Sequence, residues 1–252
     1  MRVATWNVNS IRARVGRVTG WLARNTPDVL CMQETKVEDP AFPVEDFKRV
    51  GYEVALHGEA GRNGVAIASR LPFSHVKVGF EGADPEESRR VLGVHVGGID
   101  LVTVYVPNGQ AVGSETYFEK IQWMVKLRQE LARSYDPKKP FLVCGDFNVA
   151  PTDKDVWDER LTGGLHCTRA ERDALSGIMG FGLRDLATPG QFTWWSYTPS
   201  DLKRNRGMRI DLLLATEPLR RRLESVTVDR EEREAKGAEK SSDHAPLVAS
   251  FS

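Results

Sequence analysis

Long apolar runs are missing from this sequence. No stretch approaches the ~18 consecutive apolar residues of a membrane span, and "MRVATWNVNS" lacks the apolar centre of a secretory signal and reads as a strand. Cysteine is scarce: Cys31, Cys144 and Cys167 are the 3 present, with no CxxC spacing. That argues against a disulfide framework or a thiolate zinc site, and for buried free thiols in a reducing, cytoplasmic setting. Charge of one sign is also lacking, because Lys plus Arg and Asp plus Glu both number 35. Zero net charge excludes a cationic coat over the whole surface but leaves room for a local basic face. There is no tandem repeat, low-complexity linker or break in composition, so 1–252 reads as a single domain. A chain of 252 residues can bury a substantial core without disulfides.

What is present is a series of short apolar runs: "RVATW", "DVLCM", "GVAIAS", "VLGVHV", "IDLVTVYV", "FLVC", "RIDLLLA" and "PLVASF". Their length and their Val, Ile and Leu content suit strands covered on both faces. Between some of them the spacing predicts helices. Residues 10–25 place Ile11, Val15, Val18 and Leu22 on one face, with Asn9 or Ser10 as cap. Residues 114–134 do the same with Phe118, Ile121, Met124, Val125 and Leu131, opening at Ser114. A third helix is expected near 168–180, and the charged run 229–240 as a solvated loop. The class is α/β, with many strands and outer helices.

The residues that end these runs carry the chemistry. "RVATWNVN" ends in Asn7 and Asn9, "DVLCMQETK" in Gln33, Glu34 and Lys36, and "FLVCGDFN" in Gly145, Asp146 and Asn148. "LVTVYVPNGQ" brings Tyr105 and Asn108, and "SSDHAPL" sets Asp243 and His244 before a strand. Singly, an Asn or Asp at a strand end is an ordinary turn residue. Asp211 is harder to dismiss: flanked by Ile210 and Leu212, its carboxylate needs a buried partner, for which His244 is the natural candidate.

Together these residues have the parts for metal-assisted phosphodiester hydrolysis. Glu34 and Asp243 are hard oxygen ligands suited to Mg²⁺, with Mn²⁺ able to substitute. Asn7 can position the metal or a phosphate oxygen, and Asp146 and Asn148, two apart on an extended segment, can orient an attacking water beside it. Asp211 can fix the tautomer of His244, and Tyr105 can supply a hydrogen bond where charge develops.

In order, "WNVNSIRAR", "LCMQETK", "YVPNG", "GDFNVAPTD", "FTWWSY", "NRGMRIDLLLAT" and "SSDHAPLVASF" resemble the motifs of the exonuclease III family of apurinic/apyrimidinic (AP) endonucleases, from residue 2 to 251. The resemblance implies a four-layer α/β sandwich, two mixed β-sheets packed face to face with helices outside. It implies Mg²⁺-dependent cleavage of duplex DNA 5′ to an abasic site, leaving a 3′-hydroxyl, with 3′-to-5′ exonuclease and 3′-end-cleaning activity. It makes Glu34 the principal metal ligand, with Asn7, Asp146, Asn148 and Asp243 beside it. Tyr105, Asp146, Asn148, Asp211 and His244 become the catalytic set, and Lys36 and Asn108 lie toward the substrate. Trp194, Met208 and Ile210 match the pocket for the baseless sugar, while Phe192 and Tyr197 read as core. Arg89 or Arg90 sits where relatives insert a residue into DNA.

Basic residues also cluster in loops near the motifs: Arg62, Arg89, Arg90, Lys203, Arg204, Arg206 and Arg209, with Arg220–Arg222 as plain surface. A DNA-facing cluster and a solvated face both fit them. A membrane partner is not expected, and the chain is expected to be a monomer. Other readings remain: a different phosphodiesterase or phosphatase of the wider superfamily, a paralogue restricted to 3′ ends, or an inactive DNA-binding scaffold. The last would require a lost catalytic residue, and Glu34, Asp146, Asn148, Asp211 and His244 are all present.

Overall fold

The computed structural model describes residues 1–82, 89–235 and 237–252. One six-stranded sheet runs β13-β14-β1-β2-β4-β3. It is built from β1 (Arg2–Asn7), β2 (Val29–Gln33), β3 (Glu53–His57), β4 (Val65–Ser69), β13 (Leu223–Val228) and β14 (Leu247–Phe251). A second six-stranded sheet runs β5-β6-β7-β8-β12-β9. It is built from β5 (Phe73–Val78), β6 (Val91–Val96), β7 (Ile99–Tyr105), β8 (Phe141–Asp146), β9 (Leu183–Asp185) and β12 (Asp211–Thr216). β10 (Trp194–Trp195) and β11 (Gly207–Met208) form a short ribbon. The α-helices among the described residues are α1 (Val15–Asn25), α2 (Val44–Arg49), α3 (Glu115–Ser134), α4 (Arg169–Met179), α5 (Pro199–Lys203), α6 (Glu217–Arg220) and α7 (Arg230–Glu234).

Each sheet has one parallel pair, β1 with β2 and β7 with β8, and all its other pairings are antiparallel. Parallel neighbours need a crossover, and α1 and α3 supply the two crossovers. One apolar cluster, including Val29, Cys31, Leu101, Cys144 and Leu213, lies between the sheets. A second packs α3 and α4 on the second sheet, and a third packs α1 and α2 on the first. The order is helix, sheet, sheet, helix, the four layers that the resemblance implies. All three cysteines are free and buried.

Three expectations need correction. α1 begins at Val15, not near Ser10, because the chain at 9–11 is still pairing with the segment after β2. The Ser10 and Ile11 amides donate to Glu34 O (2.7 Å) and Thr35 O (3.1 Å), and Asn9 and Ser10 hold φ of 44° and 86°. Neither Asn9 nor Ser10 caps the helix; Glu239 does so from a distant loop, accepting from the Gly16 and Arg17 amides (3.2 and 2.6 Å). α3 opens at Ser114 as expected, but with its inner face rotated from the expected one. Phe118 and Val125 are exposed, whereas Lys120 and Glu130 are buried beside Trp123, Met124, Leu127 and Leu131. The run 229–240 is not simply a solvated loop. Asp229 caps α7 through the Glu232 amide, and Glu232 is buried against Arg17 at 2.9 Å; Lys236 of that run lies outside the described residues. The helix expected near 168–180 is α4, opened by a Thr168–Glu171 capping box.

The buried Glu130 yields a stability prediction. Burial alone would raise its pKa, but Lys77, Ser134 and Arg133 outweigh burial and bring it down to about 2. A carboxyl depressed in the folded state adds stability above its unfolded pKa, and that stability is lost as pH falls through the folded value. Between pH 4.5 and 2 the Tm of Glu130→Gln should therefore fall less than that of the wild type. Parallel Tm curves would remove Glu130 from the acid response.

Candidate active site

The two crossovers bring the carboxyl ends of the parallel pairs to one edge of the sandwich, where ligands of α/β sheets commonly bind. Asn7 ends β1, Glu34 follows β2, Tyr105 ends β7 and Asp146 ends β8. Antiparallel neighbours complete the set: β12 begins at Asp211, opposite Asp146, and His244 lies in the turn before β14. Gly145 is required between them. Its φ is 142°, and a Cβ there would stand 2.0 Å from Val104 O on β7.

"FTWW" and "SDHA", 49 residues apart between Trp194 and Asp243, are zipped together. The Trp195 amide donates to Asp243 O at 3.0 Å and the Ala245 amide to Thr193 O at 2.8 Å. Thr193 Oγ1 also accepts from the Asp211 amide at 3.2 Å. This places Asp211 beside His244, with Oδ2 2.8 Å from Nδ1 and both residues buried. Burial opposes charge on the imidazole, but Asp211 and then Asp146 outweigh it and raise its pKa to about 10. His244 is thus an imidazolium near neutral pH, and its Nε2 lies 3.8 Å from Asp146 Oδ2. Asp146, Asp211 and His244 crowd within 4.8 Å of one another. A protonated imidazole cannot ligate a metal, so this trio reads as a proton-bearing unit instead.

Asp146 is held from two sides. Its Oδ1 accepts from the Asn148 amide at 2.9 Å and its Oδ2 from Asn7 Nδ2 at 2.9 Å. The same Asn7 amide reaches Glu34 Oε1 at 2.7 Å, so one NH₂ group joins the two carboxylates. Burial, with repulsion from Asp211 and Glu34 and against the pull of His244, raises the Asp146 pKa to about 7. Lys36 Nζ sits 2.8 Å from Glu34 Oε2; against burial, Lys36 and Asn7 keep the Glu34 pKa below its ordinary value. Burial and the nearby Glu34 and Asp146 push the Tyr105 phenol well up, so it stays a donor.

Asp243 accepts from Asn9 Nδ2 at 3.0 Å and from the Trp194 indole at 3.1 Å. Asn9 in turn accepts from Lys36 Nζ at 2.7 Å. Asn108 Nδ2 reaches Asn148 Oδ1 at 3.3 Å. Trp194 and Met208 are cross-strand partners, packed on a small cluster of Ala150, Val156, Cys167 and Ile210.

The basic residues divide. Arg90 lies over the Tyr105 ring at 4.7 Å, while Arg89 donates to Gly58 O. Lys203 and Arg204 are exposed at the end of α5, and Arg206 lies over Trp157 at 4.8 Å. Arg62 pairs with Glu59 at 2.6 Å. Arg209 does not belong to a basic face: it is buried 2.7 Å from Asp155 and 2.6 Å from Asp185, with its own amide bonded to Asp155 O at 2.9 Å, because those two carboxylates supply its counter-charge. Tyr197, expected in the core, is exposed, and its hydroxyl lies 3.0 Å from Arg14 Nη2 and 3.4 Å from Asp243 Oδ1.

Sequence reasoning missed Asn9 as a linker between Lys36 and Asp243, although its place beside Asn7 was a signal. It also missed Lys120 and His166, which reach the Asn148 carbonyl from below at 2.7 Å each. For Lys120 the local signal was a charge on the apolar face of α3, whereas His166 lies in the loop before α4.

The donor set fits a hard divalent cation. Of the four carboxylates Glu34, Asp146, Asp211 and Asp243, Glu34 meets Lys36 and both Asp211 and Asp146 face His244, while Asp243 feels His244 only through space. Asp211 Oδ1 is buried and makes no hydrogen bond among the described residues.

Residues 4–244 match the Endonuclease/Exonuclease/phosphatase family. The chain is 31% identical to "Exodeoxyribonuclease III" of Haemophilus influenzae, over 100% of both chains. Among solved structures it superposes on an AP endonuclease from Archaeoglobus fulgidus with TM-score 0.94 and 39% identity, covering 100% of this chain and 99% of that one. A 3′ phosphatase from Neisseria, bound to a product DNA hairpin, gives TM-score 0.93 and 33% identity, with 100% and 99% covered.

Proposed function

The chain belongs to the Endonuclease/Exonuclease/phosphatase family, and we propose that it is a DNA-repair hydrolase cutting the phosphodiester 5′ to an abasic site in duplex DNA. The cut leaves a 3′-hydroxyl, and 3′-to-5′ exonuclease and 3′-end cleaning accompany it. The reading takes 1–252 as one domain and the protein as a cytoplasmic monomer. The observation that carries it is the Asp211–His244 pair facing Asp146 across 3.8 Å, at the edge where Glu34 and Asn7 also end. No helix among the described residues is long and apolar enough to cross a membrane.

Asp146, acceptor-only and held by Asn7 and Asn148, orients the attacking water and takes its proton, with a pKa of about 7 suited to a base at neutral pH. The His244 imidazolium faces the phosphoryl oxygens and stabilises the pentacovalent state. Tyr105 and Asn108 donate toward the same phosphate, Asn148 stays beside Asp146 with its Nδ2 given to Val106 O at 3.0 Å, and Lys36 balances Glu34. Glu34 and Asn7 would hold Mg²⁺ or Mn²⁺, with Asp243, Asp146 and Asn148 nearby; when bound, the cation supplies charge neutralisation at the phosphate. In the absence of DNA, Mg²⁺ should raise the wild-type Tm and raise that of Glu34→Gln much less. Equal shifts in the two proteins would remove Glu34 from the metal site.

Trp194, Met208 and Ile210 form an apolar recess for a sugar without a base, while Arg89, Arg90, Lys203, Arg204 and Arg206 contact the DNA backbone. Trp194→Ala should lower the rate ratio for abasic over intact duplex by roughly 10-fold, the scale of losing apolar pocket contact. Trp194→Phe keeps a ring but loses the hydrogen bond to Asp243, and should keep most of that ratio. An unchanged ratio in Trp194→Ala would show that the recess does not select the site.

The deciding experiment compares three labelled DNAs with metal present: a duplex holding one abasic analogue, the same duplex intact, and a duplex ending in a 3′-phosphate. A single nick 5′ to the analogue is expected. Equal cutting of the intact duplex would mean a nonspecific nuclease, and activity on the 3′-phosphate alone would mean a 3′-end enzyme.

A further inference from the structure

Lys120 is a cation with no exposed surface, set into the inner face of α3 beneath the proposed cleft. Burying an ammonium is costly unless it is paired and hydrogen-bonded. Here Glu171 on α4, equally buried, is its counterion. Nζ makes two further bonds, both to main-chain carbonyls: Asn148 O at 2.7 Å and Asn108 O at 3.2 Å. An aliphatic side chain would satisfy the packing of α3 on the second sheet but would leave those carbonyls without this donor.

The two carbonyls belong to the turns that carry polar side chains into the cleft. Asn148 stands at φ 49°, in the left-handed region. In that conformation its carbonyl points down at Lys120, its amide donates to Asp146 Oδ1 at 2.9 Å, and its side chain meets Asn108 Nδ2 at 3.3 Å. His166 adds a second contact to the same carbonyl, with Nδ1 at 2.7 Å. Glu171 ties this layer together by accepting from the His166 amide at 3.1 Å. The backbone that aims both Asn148 and the Asp146 carboxylate is therefore fastened from below by a buried ammonium, with His166 beside it on the same carbonyl.

We propose that Lys120 is a positioning residue for hydrolysis, acting through the Asn148 and Asn108 carbonyls to hold Asn148 and Asp146 in their attacking geometry. The proposal rests on the nuclease reading above. A displacement of about 1 Å in such a site can cost up to about 100-fold in rate. The loss belongs in kcat rather than KM, since Lys120 touches no substrate.

The test uses two variants of the full chain, assayed with metal on the abasic duplex, with Tm measured alongside. Lys120→Met leaves Glu171 buried and unpaired, so its Tm should fall sharply. Lys120→Met combined with Glu171→Gln removes both charges and should recover most of the Tm, because a neutral pair needs no counterion. The double variant carries the test even if the single one does not fold. Its kcat should stay about 10- to 100-fold below wild type, with KM within about 3-fold. A folded double variant with wild-type kcat, or with a changed KM alone, overturns the positioning role. An inactive wild type would instead sink the nuclease reading.

Discussion

Replacing His244 by alanine is expected to lower kcat on an abasic duplex by roughly 10²–10⁴, the span for losing a positioned acid or a donor to a developing anion. The ring is buried, its Nδ1 is taken by Asp211 at 2.8 Å, and its Nε2 faces the cleft 3.8 Å from Asp146. Asp211→Asn should cost a large part of the same factor. Without the Asp211 charge, burial pulls the imidazole back toward neutrality, because burial opposes its charge and Asp211 is the largest influence raising its pKa. The sign follows. A raised histidine pKa means that the charged form, and the stability it lends, is fully present below 6.5 and lost as pH rises through about 10. The alkaline limb of the rate profile should therefore move to lower pH in Asp211→Asn. Two residues acting as one unit are far from additive, so the double variant should be little slower than His244→Ala. Additive losses, or an unmoved alkaline limb, would separate the two roles even though the contact exists.

Which parts of this arrangement were readable in the sequence follows from the range of the interactions involved. Asp211 was readable because its neighbours in the chain, Ile210 and Leu212, already demand a partner for a buried charge. Asn7, Glu34, Tyr105 and Asp146 were readable because strands end where their apolar runs end, and parallel crossovers gather those ends on one edge. Capping by Ser114 and Thr168 is local, and both helices open there. The start of α1 was hidden because Glu239, more than 200 residues away, supplies the cap. Lys120, Glu130 and Arg209 look like solvent-facing charges in a linear reading. Each is buried because its counterion comes from another element: Glu171, Lys77 and Asp155. Tyr197 looked like core, but a hydroxyl held by Arg14 and a ring under Lys240 place it at the rim. Local propensity cannot reveal a pairing whose other half lies on a distant strand.

Asp146→Asn should be at least as damaging as the loss of His244, with kcat lower by roughly 10³ or more, near the top of the range for a general base. The substitution is nearly isosteric, so packing does not explain the loss; hydrogen-bond polarity and charge do. Both neighbours of Asp146 are donors, the Asn148 amide on Oδ1 and the Asn7 NH₂ on Oδ2. An ionised carboxylate accepts from both, whereas an asparagine must turn its own NH₂ toward one of them. The second loss is the base itself. Burial, then repulsion from Asp211 and Glu34, outweigh the pull of His244 and raise this carboxyl from 3.8 to about 7. The wild-type rate should then fall as pH drops through the Asp146 pKa, and the residual rate of the variant should lack that limb. Stability moves the opposite way. A carboxyl with a raised folded pKa binds its proton more tightly when folded, so the stability it lends is lost as pH rises from 3.8 through about 7. In chelator, the wild-type Tm should therefore drop more than that of Asp146→Asn as pH rises from 3.8 to about 7, the window set by that rise. Such a fold gives up stability to keep a carboxylate ionised among other carboxylates, as expected of a site shaped for chemistry. A variant that keeps both its rate and its acid limb would move the base to another residue.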